Sequence, residues 1–241
     1  MRNPRFFYYF CIVKNSDISI LQRYIVFIIG VFFLAVGIDF IVVSSLGATP
    51  ISSVNYVLAL NLPLTFGTTS FLFNMVVILL QFWLIRGRGT RTDRIEILLQ
   101  IPFSALFSLF IDLNMLWIGR IVPSGYAAAL GLLALGCIIQ AVGIVLEVKP
   151  NVVIMSAEGF VKYYCQRYNR NFGHIKVAFD VVLVVLAIVL SLLFSGRIEG
   201  VREGTLIAAV STGFLVNFLS DYLLTRRMLR RIAGAFYRRT A

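Results

Sequence analysis

The stretch SSLGATPISSVNYVLALNLPLTFG, residues 44–67, carries no charge, two prolines, two glycines and a single short apolar segment. Whether it crosses a bilayer decides how many times the chain does, and on which side every later loop lies. Its apolar segment, 51–60, extends only about 15 Å as a helix, half of the roughly 30 Å hydrocarbon core. Two readings stay open: an external loop with a short surface helix, or a half-helix that enters the membrane and returns.

The rest of the chain sets the context. It has 241 residues, 59% of them hydrophobic, and a net charge of +11, with a mean hydropathy of +0.90. The apolar residues come in blocks of membrane-spanning length, so a polytopic all-α membrane protein is expected. Six runs are long enough to cross, near 24–43, 68–85, 95–118, 127–146, 176–194 and 205–224. The first is longer than a signal-peptide core and is read as an uncleaved span. The aromatic segment 6–13, FFYYFCIV, suits an interfacial position.

Charge then tests orientation. With a cytoplasmic N-terminus, Lys and Arg number four before the first span, four in 86–94, five in 149–176 and six after 225. The other side receives only Arg120, Arg197 and Arg202. This bias follows the positive-inside rule, with both termini cytoplasmic. An eight-span count moves 86–94 outside and spoils it. The basic residues lie between and beyond apolar runs and form no aromatic-interleaved patch, so nucleic acid is not an expected partner.

Shifted by 106 positions, the sequence matches itself. Gly30, Ala35, Val36, Gly37 and Ile38 fall on Gly136, Ala141, Val142, Gly143 and Ile144, Phe66–Gly67 on Phe172–Gly173, and Asn74 on Asp180. After a three-residue slip, Gly87–Arg88 falls on Gly196–Arg197 and Asp112 on Asp221. The expected organisation is an interfacial N-terminal segment (1–23), a three-span repeat (24–114), an external linker (115–129), a second repeat (130–224) and a basic tail (225–241). An odd number of spans per unit inverts the second against the first, an arrangement recurrent in secondary transporters, whose sites lie where the repeats meet.

The opening stretch thereby gains a counterpart, VIMSAEGFVKYYCQ, residues 153–166. Thr49, Ser52, Ser53 and Asn55, with Pro50 suited to a first helical turn, place uncharged donors and acceptors near a helix N-terminus. In the counterpart, Glu158 aligns with Ser52 and Ser156 with Pro50. Asp39 lies inside the first span, and an intramembrane carboxylate is either a functional group or one that snorkels to the interface. Asn74 and Asp180, matched by the repeat, either close a site about the pseudo-twofold axis or make structural hydrogen bonds. These ten residues form the candidate ligand site. Asp112 and Asp221 are expected to be solvated near an interface, and Glu147 ends the fourth span. Gly30 and Gly37, matched by Gly136 and Gly143, mark a helix face for close packing.

The single histidine, His174, and the absence of hydrolase, zincin or nucleotide-loop motifs point away from an enzyme, and no cofactor or metal is expected. Cys11, Cys137 and Cys165 have no paired spacing and read as small packing residues. The arginine pairs of the tail suit an anionic leaflet.

Gly30-x6-Gly37, Leu46-Gly47-x2-Pro50, Phe66–Gly67 and Gly204-Thr205-x7-Gly213-x7-Asp221 resemble the YczE/YyaS/YitT group of bacterial integral membrane proteins over about residues 22–224. That group usually places an acid two residues after a proline in each short segment. Here Ser52 replaces the acid in the first and Ser156 the proline in the second. The resemblance implies a bacterial inner-membrane location and names no substrate. The leading expectation is a small secondary transporter for a polar or anionic solute, in contact with the lipid bilayer. The alternative is a non-transporting regulator whose glycine faces bind another membrane protein or a second copy.

Overall fold

Local chemistry starts the helices earlier than hydropathy alone suggests. The computed structural model describes residues 20–222, with side chains to 219, and holds eight helices and no strand among them. They are α1 (Ile20–Val43), α2 (Pro50–Asn61), α3 (Phe66–Ile85), α4 (Arg91–Ile118), α5 (Tyr126–Val148), α6 (Ser156–Tyr168), α7 (Phe172–Ser195) and α8 (Glu203–Tyr222). At α4, Thr90 and Asp93 form a capping box that satisfies two amides, so the helix begins inside the charged run 86–94. Thr65 and Asn171 likewise accept from the first turns of α3 and α7.

α1, α3, α4, α5 and α7 are long and apolar enough to cross a membrane, and the chain is an all-α protein of the multi-pass membrane type. Six such helices were expected. The sixth corresponds to α8, of which Glu203–Leu219 is described with its side chains and is apolar. The interfacial segment 6–13, Cys11 and the basic tail lie outside the described residues.

α1 and α5 are the most extensively packed pair and form the centre. A Cβ placed on Gly30 meets the Glu147 amide nitrogen at 2.6 Å, and one on Gly136 meets the Ile41 nitrogen at 2.9 Å. Gly37 and Gly143 abut the backbones of Gln140 and Leu34 as closely. Side chains at these four positions force the backbones apart. α4 packs on α1 and α8 on α5, while α3 lies against α4.

The short helices seat on long helices distant in sequence. α6 runs along the C-terminal half of α3, with Ser156 at Asn74 and Arg167 donating to the Leu84 carbonyl. α2 runs along the C-terminal half of α7: Val54 and Val57 cluster with Leu183 and Ala187, and Asn61 accepts from Ser195 at 2.6 Å. Asn74 lies about 12 Å along the 30 Å or so of α3, so the N-terminus of α6 starts near mid-helix. The chain entering α2 is held by a second loop: Ala48 N–H donates to the Gly200 carbonyl at 2.9 Å, and Gly204 N–H to that of Leu46 at 2.8 Å. Between them Gly47 adopts φ +120°, where a side chain is strained.

Candidate functional site

α5 ends at Glu147 and Val148, the chain unwinds over 151–155 through a left-handed Asn151, and α6 begins at Ser156. Around this break four of the ten candidate residues assemble. Ser156 Oγ donates to Asn74 Oδ1 at 2.6 Å. Glu158, in the first turn of α6, lies 3.6 Å from Lys176 Nζ, which pairs with Asp180 at 3.0 Å. α3 and α4 close the floor: Gln81 and Gln100 exchange hydrogen bonds of 2.8 and 3.0 Å, and Gln81 Nε2 also donates to the Ser156 carbonyl at 3.0 Å. Gly159 admits this amide pair, since a Cβ there meets Gln81 Oε1 at 2.7 Å. Glu158 and Asp180 share one ammonium, Lys176, while Glu147 lies at the end of α5, which Lys149 caps.

Asn74 and Asp180 do not meet each other. Each faces α6 or its partner Lys176, so the expected direct closure about an axis is replaced by closure through α6.

The first turn of α2 is arranged differently from expectation. Thr49 Oγ1 and Ser52 Oγ bond each other at 2.5 Å, and Ser53 Oγ donates to the Pro50 carbonyl at 2.8 Å. Thr49, Ser52 and Ser53 are thus engaged within their own turn, as short hydroxyl side chains at helix starts generally are. Of this group only Asn55 keeps a buried oxygen without a partner. Its backbone carbonyl accepts from Thr69 at 2.9 Å.

Asp39 stands apart. It is fully buried, which excludes snorkelling, and neither carboxylate oxygen has a hydrogen-bond partner among the described residues. Asn114 and Asp112 of α4 are its electrostatic neighbours. Asp112 is not simply solvated: it accepts from Gly67 N–H at 2.8 Å and Thr65 Oγ at 2.7 Å, an anion seated on the N-terminus of α3. Ser70, Ser104 and Ser108 add buried hydroxyls without partners among the described residues. The side chain of Asp221 lies outside the described ones.

At the far end of α2 a cleft of about 620 Å³ is lined by Tyr56, Asn61, Ser195, Arg197, Glu199 and Arg202, among others. Hydrogen bonds from Ser195 at 2.9 Å and Arg197 at 2.6 Å hold the Glu199 carboxyl below the usual glutamate range. No cluster of three or more metal-ligating side chains occurs among the described residues.

Sequence reasoning missed Lys176, Gln81, Gln100 and Asn114. The available signal was a polar side chain within an apolar helix. In sequence, Lys176 stands at the start of a span, where it reads as an orienting charge.

Residues 21–221 match a family of unknown function, DUF6198, and the chain belongs to that family. No curated protein and no solved structure matches it.

Proposed function

We propose that this DUF6198 member is a small secondary transporter built as two inverted three-span repeats, with a small polar solute held between its two short helices. One observation carries the reading: each short helix seats along the C-terminal half of a long helix from the other half of the chain, N-terminus toward mid-helix. Backbone that breaks at membrane depth persists where it is buried in protein or lines a cavity, and discontinuous helices of this kind carry sites in transporters.

The glycine contacts support the inverted repeat. Gly30 against Glu147 becomes Gly136 against Ile41 when both members are shifted by 106 residues and exchanged between halves, and Gly37 against Gln140 becomes Gly143 against Leu34. In this reading α8 is the sixth crossing and both termini are cytoplasmic. The YczE/YyaS/YitT resemblance adds a bacterial inner-membrane location.

Asn74, Ser156, Glu158 and Asp180, with Lys176, form the inner side of the site. Asp39, Asn55 and the turn of Thr49, Pro50, Ser52 and Ser53 belong to the other. Helix N-termini favour anionic groups, but Glu158 and Asp180 outnumber Lys176, so a polar solute without net negative charge fits better than a free anion.

A second reading, a non-transporting partner protein, is favoured by α7. It buries only Leu183, Ala187 and Ser191 and scarcely touches α8, leaving an apolar face for another membrane protein. Proteoliposome flux over a panel of small metabolites separates the two. Uptake abolished by Glu158→Gln supports transport; no uptake of any panel member, with a membrane protein copurifying through α7, supports the partner role.

A further inference from the structure

The turn between α3 and α4 and the end of α6 make up one corner of the molecule. Arg167 of α6 donates to the Leu84 carbonyl near the end of α3, and its guanidinium lies 5.8 Å from the Trp83 ring and 5.9 Å from that of Tyr168. One turn earlier, Tyr163 donates to Glu96 Oε2 of α4 at 3.1 Å. The turn itself folds back on α3, the amides of Arg86 and Arg88 donating to the carbonyls of Trp83 and Ile85.

Six arginines meet at this corner: Arg86 and Arg88 in the turn, Arg91 and Arg94 at the start of α4, and Arg167 and Arg170 at the end of α6. All but the half-buried Arg167 are exposed, and none has a carboxylate partner among the described residues. The acids nearby are engaged elsewhere. Asp93 accepts from the Thr90 amide at 2.8 Å and hydroxyl at 2.7 Å, and Glu96 pairs with Lys162 at 2.7 Å. Orienting a span requires basic residues in a loop, but not that arginines of three segments converge or that one is fixed beside two rings. Like charges gathered without counter-charge repel one another, and an anion among them removes that cost.

The source of that anion is indicated by α3. Leu72, Val76, Leu79, Leu80 and Trp83 follow helical spacing and are all exposed, so one apolar stripe runs along the helix and ends beside Arg167. Trp83, 60% exposed at the end of the stripe, suits the headgroup level of a bilayer. We infer that this corner binds one anionic phospholipid, its phosphodiester held by Arg167 and the turn arginines Arg86 and Arg88, its acyl chains along the α3 stripe. Guanidinium groups match phosphate oxygens in charge and in planar geometry, and basic pockets of this kind between spanning helices hold anionic headgroups. The bound lipid ties the end of the half-helix α6 to the α3–α4 turn. The inference stands with or without the transport reading.

The test uses the purified full-length protein in a neutral detergent. Native mass spectrometry counts bound phosphatidylglycerol or phosphatidylcholine, and thermal unfolding midpoints are followed as each lipid is added. One phosphatidylglycerol is expected to be retained in preference to phosphatidylcholine, with a midpoint that rises and saturates. The apparent affinity is expected to fall about tenfold or more in Arg86→Gln/Arg88→Gln, whose side chains are exposed. Arg226→Gln/Arg227→Gln removes the same charge from the tail and is expected to retain the lipid as the parent does. Arg167→Gln is expected to weaken retention as well; if it does not fold, the turn variant decides. Equal retention of both lipids, or unchanged affinity in the turn variant, overturns the inference. So does retention lost in the tail variant and kept in the turn variant, which places the lipid on the tail. An equal rise in midpoint with inorganic phosphate alone also overturns it, since the site is then one for a soluble anion.

Discussion

The hydroxyl of Ser156 donates a 2.6 Å hydrogen bond to Oδ1 of Asn74, joining the first turn of α6 to the middle of α3. Both residues are buried, so removing one strands the other. Ser156→Ala is expected to cost about 1–3 kcal/mol in detergent unfolding, and Ser156→Ala/Asn74→Ala to cost less than the sum of the single changes. Strict additivity contradicts the contact.

Gly37 and Gly143 of the α1–α5 seam are expected to respond in the opposite way to Gly213 of α8. Gly37→Leu drives a side chain into the Gln140 backbone and is expected to abolish the monodisperse folded protein, as is Gly143→Leu at Leu34. A Cβ on Gly213 of α8 meets nothing within 4 Å, so Gly213→Ala is expected to be neutral or stabilising by up to about 1 kcal/mol. Equal tolerance at all three, read by size-exclusion chromatography, contradicts the central packing.

Lys176 balances Glu158 and Asp180. Lys176→Met leaves both carboxylates in a half-buried setting and is expected to cost about 1–3 kcal/mol, less than a fully buried pair would because water still screens part of the group. Adding Asp180→Asn is expected to restore part of the loss. A double variant no more stable than Lys176→Met indicates that the ammonium acts through packing alone.

Glu199 predicts a pH dependence in the loop that holds the entry to α2. Hydrogen bonds from Ser195 and then Arg197 depress its folded pKa, so the stabilisation is present above the unfolded glutamate value of about 4.3 and is lost as pH falls through the lower folded value. Unfolding midpoints of the parent are expected to drop more steeply than those of Glu199→Gln on acidification below about pH 5. Parallel curves count against the contact.

The long helices were legible because length and hydropathy identify them without any knowledge of packing. Their starts were misjudged where a cap operates: Thr90 and Asp93 begin α4 within a stretch whose arginines suggested a loop. The short helices were legible as short apolar segments after a break, such as Gly47 and Pro50 before α2, but their chemistry was not. Thr49, Ser52 and Ser53 offer the donors and acceptors a ligand needs, and the same short side chains close on their own turn. Lys176 shows only its sign in the sequence, which does not say which helix face meets Glu158. Asp39 illustrates the remaining gap: its burial depends on α4 and α5 packing around α1, a tertiary fact that a single residue type does not encode.

The central claim is that the two short helices enter from opposite sides of the membrane. In a variant lacking Cys11, Cys137 and Cys165, single cysteines are placed at Asn61, at the end of α2, and at Tyr168, at the end of α6, and treated with a membrane-impermeant maleimide in intact cells and in inside-out vesicles. The account predicts labelling at 61 only from outside and at 168 only from the cytoplasmic face. Labelling of both positions from the same side contradicts the inverted arrangement and the transport mechanism built on it.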